Sequence, residues 1–555
     1  MRRDRGARLT ERQAVTFDLI LEGGTVIDGT GAAGFDADVA VSDGRIGAVG
    51  ALADAEAEHR IDCRGRTVTP GFIDIHSHAD WLVAGEDHGS LVEPFVRQGM
   101  TTLVGGNCGF SPAPVSARSR TAAVEASRLI VDDALDLRWT TMDGFLSVLE
   151  AGGVALNVAQ LVGHGAVRAA VSGHLDPRPP GPEELAAMER LTCNALEEGA
   201  IGVSTGLGYP PGIFASIDEL TAFAGWAARA GKLFTSHLRA YSCTSGVYTD
   251  DDPRLHNLRA IDEILSVGEA ASARVQISHL IFVGRNTWPS HHDAIAAIEA
   301  ARARGLDVAF DAFPYTAGNT TASVIFPPEL LPALESILQD PEQMAGLRAF
   351  GEDAFARIGF HLEDIQIMNA NDARFDELNG LFVGEAAKRA GMDIWDFYAR
   401  LVIESHRNAR VLIHKYSGDS EDESALRAVL AHPLCTIETD TFVTEHGHQN
   451  PASYGTFPRV LSTYVREGLF GLEEAVYKMT GAAAERLGWS DRGYVRVGAA
   501  ADLVVLDTAK LADTASFDRP DCFPIGIEQV IIGGRSVLEG SLYDATAYAG
   551  TVIRA

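Results

Sequence analysis

Residues 71–78 read GFIDIHSH, an apolar and β-branched run that ends on two histidines two positions apart. Side chains two apart on a strand share one face, so His76 and His78 are expected to point the same way. Seven more short runs of the same kind follow, namely TTLVGG (101–106), LNVAQLVGH (156–164), AIGVSTG (200–206), KLFTSH (232–237), RVQISH (274–279), LDVAFDAF (306–313) and LCTIETD (434–440). Stretches such as PEELAAMERLTCNALEEGA (182–200) and HHDAIAAIEAARARG (291–305) lie between them, with apolar residues at helical spacing. Eight buried-strand runs, each followed by a helix, predict an α/β fold, the (β/α)8 TIM barrel.

Working outward, residues 16–69 switch to short β-rich runs separated by turn residues, as in FDLILEGGTVIDGTG, DADVAVSDGRIGAVG and HRIDCRGRTVTPG. The C-terminal stretch repeats that pattern in YVRVGAAADLVVLD and IEQVIIGGRSVLEG. Residues 16–69 and 486–555 are therefore expected to join as one small composite β-sandwich, with the barrel (70–317 and 431–485) inserted between them. The gap before the eighth run, residues 318–430, is too long for a strand-to-helix connection and carries strand-like and helix-like pieces of its own. It reads as an inserted subdomain, and residues 1–15 as a flexible N-terminal extension.

The chain has 555 residues, 46 basic and 76 acidic, for a formal net charge of −30. A surface that acidic repels phosphate backbones and anionic bilayers, which argues against nucleic acid and membranes as partners. No apolar run approaches the ~18 residues of a transmembrane helix, and residues 1–15 lack the apolar core of a signal peptide. The six cysteines (63, 108, 193, 243, 435, 522) show no CxxC spacing, the usage of a reducing, cytoplasmic compartment. Neither GGNCGF nor STGLGYPPG has the lysine or spacing of a nucleotide-phosphate loop, and no GxSxG elbow suggests covalent catalysis. The expected partner is a small molecule, and a homo-oligomer is compatible with the sequence.

The chemistry is expected where the strands end. The first run closes on His76 and His78, the second is followed by Cys108, and the fifth, sixth and eighth close on His237, His279 and Asp440. In a barrel, C-terminal strand ends converge on one mouth. A single buried histidine is ordinarily a packed core residue; five metal-type residues, each at the same end of its strand, are a ligand set that suits zinc. Zinc in such a site lowers the pKa of a water and polarises a scissile carbonyl. A carboxylate beside it, here Asp440, can take the proton and return it to the departing nitrogen.

The motifs VTPGFIDIHSHAD, GGNCGFSP, LVGHGAVR, GAIGVSTGLGYPPG, TSHLRAYS, QISHL, FDAFPYTAGNTT, YGTFPRVL and GYVRVGAAADLVVLD occur in this order. Together they resemble the amidohydrolase superfamily, and within it the N-acyl-D-amino-acid deacylases, over about residues 17–540. The resemblance implies a zinc-dependent amide hydrolase in which a cysteine replaces the carbamylated lysine of other branches; strand 4, AIGVSTG, indeed carries no lysine. It implies that Cys108, His237 and His279 hold one tight zinc, that His76 and His78 form a second, weaker position, that Asp440 is the base, and that Tyr315 donates to the developing oxyanion, an aromatic wedge in the barrel wall being the alternative for Tyr315 because the neighbouring Phe313 blurs which ring faces the site. His164 and Arg168 are further candidates near the mouth, with a supporting or packing role as the alternative, and His446 and His448 are candidate substrate contacts, with no chemical role as the alternative.

The departures concern the substrate. The deacylases carry a lysine where this chain has Ile281, and an arginine in a stretch that here reads Pro451-Ala452-Ser453-Tyr454-Gly455. Those two cations are the groups expected to grip a substrate carboxylate, and Arg239 is the candidate replacement. With the carboxylate grip rebuilt, a neutral or apolar N-acyl amide is the expected substrate. Cyclic amide or imide opening, and a non-catalytic metal-binding relative, are the alternatives.

Overall fold

The structure, a computed structural model, describes residues 16–85, 87–127, 135–173, 177–248 and 250–555. The extension expected at residues 1–15 lies outside them. Eight parallel strands form the catalytic layer: Phe72–Asp74, Met100–Gly105, Asn157–Gly163, Gly202–Gly206, Leu233–His237, Arg274–Ile277, Val308–Ala312 and Cys435–Ile437. They pair in sequence order around a nearly closed (β/α)8 barrel. Nearly every residue of these strands is buried, as expected where helices cover a parallel sheet. The seam between the first and last strands is closed by backbone bonds beyond their ends: His78 N–H donates to the Thr441 carbonyl (3.0 Å) and Asp440 N–H to that of His76 (3.0 Å).

The chain ends meet in a second sheet. Strands Phe17–Val26, Phe35–Ser42, Arg45–Gly50, Ala57–Asp62 and Thr67–Pro70 join Leu503–Leu506, Ile527–Ile532, Arg535–Glu539 and Leu542–Tyr543. The junction is the antiparallel pairing of Val68 with Val505. Its core of Leu19, Leu21, Val39, Val41, Val68 and Leu503 is separate from that of the barrel. The tail returns once more, Val552–Ile553 pairing with Val158 and Ala159 of the third barrel strand.

Between the seventh and eighth barrel strands, Ala317–Thr321, Arg410–His414 and Ile365–Asn369 form a three-stranded antiparallel sheet. Helices Pro341–Ile358, Val383–Ala390 and Ile394–Glu404 cover it around a core of Ile365, Ile367, Phe397, Tyr398 and Val411. Helix Ser424–Ala431 belongs to the barrel instead: Ala425, Leu426, Val429 and Leu430 are buried in the barrel core. The apolar residues packed around the inserted unit's core run on to Tyr416.

Candidate metal centre

The first barrel strand stops at Asp74, so His76 and His78 sit in the bend beyond it rather than on it. Cys108 occupies a turn after the second strand, His237 ends the fifth, and His279 and Asp440 lie just past the sixth and eighth. These loops converge. Cys108 Sγ lies 3.3 Å from His76 Nε2 and 3.6 Å from both His237 Nδ1 and His279 Nε2. The two latter nitrogens are 2.8 Å apart. Asp440 Oδ1 lies 3.4 Å from Nε2 of both His76 and His78. One ligand atom from each of His76, Cys108, His279 and Asp440 falls within 4.8 Å of the others.

The backbone is bent to achieve this. Cys108 (φ 53°), His279 (φ 32°) and Asp440 (φ 44°) all adopt left-handed conformations, which side chains other than glycine rarely take. Such strain clusters at functional sites because neighbouring structure enforces it. Three buried carboxylates do so here. Asp74 accepts from His76 N–H (3.2 Å), Thr439 N–H (3.1 Å) and Thr439 Oγ1 (2.6 Å), tying the first strand to the last. Asp80 accepts from Gly106 N–H (2.8 Å) and Gln160 Nε2 (2.9 Å), fixing the Cys108 turn. Asp311 accepts from His279 N–H (2.6 Å) and lies 3.5 Å from His76 Nδ1, leaving Nε2 of that ring to face Cys108 and Asp440.

The electrostatics are mutually reinforcing. Burial resists ionisation of the Cys108 thiol, yet the imidazoles of His76 and His237 hold it well below its ordinary value. Burial also works against the Asp440 carboxylate, but His279, His78 and His76 keep it below the usual range. His78, for which burial opposes charge, is raised to about 10 by its bonds to Asp440 and Cys108. Burial and the neighbouring His279 push His237 down to about 4. A thiolate, a carboxylate and convergent imidazoles with that polarity are the donor set of a zinc-type site.

The cluster floors a cavity of about 1580 Å³, onto which His78, Tyr209, His237, Tyr241, His279, Ile281 and Asp440 face. Tyr209 was not anticipated from the sequence. Its hydroxyl lies 2.8 Å from His237 Nδ1, and the adjoining Gly208 lets the loop approach so closely that a Cβ there would meet His237 Nε2 at 2.6 Å. Burial and the charges of Cys108 and Asp440 raise the Tyr209 phenol well above its ordinary value, so it keeps its proton.

Six candidate residues stand apart from the cluster. Tyr315 does not turn to the cluster: its hydroxyl donates to Asp513 Oδ2 (3.0 Å), its ring lies against the Arg459 guanidinium, and it does not line the cavity. Arg239 does line it, but its guanidinium is committed to Glu263 (2.8 Å) and to the carbonyls of Ile213 (2.6 Å) and Ala215 (3.0 Å). His164 is buried away from the mouth, its Nε2 2.9 Å from Glu219 Oε1, which Arg168 also contacts at 2.7 Å. His446 is exposed outside the cavity, and His448 Nε2 lies 2.7 Å from the Phe517 carbonyl. Ile281 lines the cavity, buried beside Phe313 and Ala452.

A barrel of this topology with this mouth is the architecture of the amidohydrolases, and the chain belongs to the Amidohydrolase family, whose model matches residues 60–538. It is 36% identical over 523 residues to the N-acyl-D-glutamate deacylase of Alcaligenes xylosoxydans xylosoxydans, covering 94% of this chain and 93% of that one. It is 33% identical over 547 residues to the D-aminoacylase of the same organism, covering 98% and 99%. The crystal structure of the N-acyl-D-glutamate deacylase of Bordetella bronchiseptica, complexed with zinc and a phosphonate mimic of the tetrahedral intermediate, superposes with a TM-score of 0.80 at 31% identity, covering 98% and 100%. This chain is an amidohydrolase acting on carbon–nitrogen bonds other than peptide bonds.

Proposed function

We propose that the protein is a zinc-dependent hydrolase of linear N-acyl amides whose substrate need not carry the free carboxylate of an N-acyl-D-amino acid. The observation that carries this reading is the pairing of the thiolate–imidazole–carboxylate cluster with an apolar wall at Ile281. The relatives with acidic substrates support the reaction, and Ile281, at the position where the resemblance implies a lysine, supports the change of substrate. Cys108, His237 and His279 would hold one tight zinc, with His76 and His78 forming the weaker second position beside Asp440. Bound there, zinc would polarise the scissile carbonyl and lower the pKa of a water.

The chain's own residues do the rest. Asp440, held ionised at the cavity floor, accepts the proton of the attacking water and returns it to the leaving nitrogen, which departs as an amine. Tyr209 takes the oxyanion role first expected of Tyr315, because its protonated hydroxyl faces the cavity beside His237 while that of Tyr315 is spent on Asp513. Asp311 keeps the His76 ring in register by sitting at its far nitrogen. All six cysteines are free thiols, which supports a cytoplasmic setting.

The test is a panel of N-acyl D- and L-amino acids, their amides and simple anilides, scored for released amine. We expect the uncharged amides to be cleaved at least as well as the acids. Strong turnover confined to the acids would overturn the neutral-substrate reading, and ring-opened products of substrate mass plus water would favour cyclic amides.

A further inference from the structure

The cavity is larger than the usual ~300–1,000 Å³ of a small-molecule site. Its outer wall is shared between the inserted subdomain and the barrel loop around Ser242–Tyr248. Val324, Ile325, Leu347, Phe350, Phe355 and Ile358 all face it. Phe350 is 50% exposed and Val324 38%, large apolar side chains left bare at a concave mouth, where scattered exposure would have been ordinary but convergence is not. The apolar wall continues inward through Val283, Ile281 and Phe442 to His279 and Asp440. Charged groups on the lining are largely occupied with the protein itself. Arg239 pairs with Glu263 (2.8 Å), Arg357 with Asp353 (2.7 Å), and Arg407 donates to the Leu331 carbonyl (2.9 Å).

We propose that this subdomain lobe binds an extended apolar arm of the substrate, so that the amide cleaved at the barrel mouth carries a medium- or long-chain aliphatic group. The inference rests on the amide-hydrolase reading above. Each methylene drawn from water into such a lobe contributes on the order of a two- to fourfold gain in specificity.

Two substrate series test it on the zinc-loaded full chain. One lengthens the acyl group from acetyl through butanoyl and octanoyl to dodecanoyl on glycinamide. The other keeps acetyl and lengthens an n-alkylamine. We expect kcat/KM to climb about two- to fourfold per methylene in at least one series, then level off as the lobe fills. Phe350→Ser combined with Val324→Ser, both at exposed positions outside the subdomain's core, should shrink the octanoyl-to-acetyl ratio about tenfold or more. Calorimetric binding of dodecanamide to the metal-free protein should weaken in parallel. If short and long amides are cleaved alike and the double variant changes neither ratio nor binding, the lobe proposal falls while the hydrolase reading stands. If no amide of any length is cleaved but dodecanamide binds tightly, the hydrolase reading falls instead. A preference for chains ending in carboxylate would also overturn the proposal and point to Arg407.

Discussion

Replacing Asp440 by Asn separates chemistry from architecture more cleanly than any other change at this site. Asp440 adopts φ 44°, and asparagine is among the side chains that tolerate left-handed backbone best, so the turn survives. The backbone N–H of residue 440 continues to donate to the His76 carbonyl, which closes the barrel seam. The amide oxygen still faces Nε2 of His78, 3.4 Å from the present carboxylate oxygen. What disappears is the negative charge and with it the proton acceptor. Loss of a positioned general base lowers rates by about 10²–10⁴-fold, equivalent to about 3–5 kcal/mol of barrel-mouth catalysis at 1.36 kcal/mol per tenfold.

The same charge also governs a neighbouring proton. His78 is raised to about 10, against burial, by its bonds to Asp440 and Cys108. Without the carboxylate, its proton is lost at lower pH, which ring-proton NMR on metal-free protein can read. The assay is kcat with an amide substrate on matched samples whose zinc content is measured by elemental analysis. Activity within about threefold of wild type at equal zinc, when a loss of at least ~10²-fold is expected, would remove Asp440 from the mechanism.

Tyr209→Phe should lower kcat about 10²-fold with zinc content intact, whereas Tyr315→Phe should leave kcat near wild type and cost about 1–3 kcal/mol of stability by stranding buried Asp513; the reverse pattern would restore Tyr315 as the oxyanion donor. Glu219→Gln should destabilise the protein by about 1–3 kcal/mol, because the fully buried Arg168 guanidinium and His164 lose a charged acceptor; an unchanged melting temperature would contradict this. Glu438→Gln acts in the opposite sense. Burial raises the Glu438 carboxyl well above its ordinary value, so the folded state holds a proton that the unfolded chain releases. That penalty is absent below the unfolded pKa of about 4.3 and grows as pH rises toward the folded value, so the variant should gain melting temperature at pH 8 and lose that gain on acidification. A gain independent of pH would refute it.

The barrel was legible because its strand runs are apolar throughout and separated by helical spacing, and the site because metal-type residues recur at the same end of those runs. The face-sharing argument for His76 and His78 reached the right neighbourhood for a reason the pattern did not contain: the strand ends at Asp74, and the bend that follows brings both rings to one oxygen of Asp440. The choice between tyrosines was not legible. Tyr209 and Tyr315 both follow strand ends, and what removes Tyr315 is Asp513, 198 residues further along, in a loop with no local signal of that pairing. Gly455 makes the pairing possible, since a Cβ there would meet the Tyr315 hydroxyl at 2.4 Å. Arg239 misled for the same reason, its partner Glu263 lying on the following helix. The left-handed backbone of Cys108, His279 and Asp440 is likewise a product of tertiary bonds, above all those to Asp80 and Asp311, rather than of glycine-like sequence.

Those same bonds make the metal centre part of the barrel's closure, and this gives the effect of stripping the metal. The seam between the first and last strands is held by His78 and Asp440 backbone bonds and by Asp74 bridging to Thr439, all within two residues of a ligand candidate. Without a cation, the thiolate of Cys108 and the carboxylate of Asp440 depend on protonated His76 and His78 for compensation. The stability this gives is complete below the ordinary imidazole pKa of about 6.5 and is lost as pH rises from there through about 10, the value to which His78 is raised. Zinc supplies the charge instead, and a ligand at a hundredfold excess over its dissociation constant stabilises by about 2.7 kcal/mol. Chelated protein should therefore melt lower, exchange the His78 and Asp440 amide protons faster, and lose stability steeply at alkaline pH where the loaded protein does not. Filling the weaker second position with zinc at pH 7 should release protons from His76 and His78, measurable by calorimetry in buffers of different ionisation enthalpy. Identical melting and exchange with and without zinc would mean that the imidazoles, the thiolate and Asp440 close the barrel by themselves and that no ion is held at the seam.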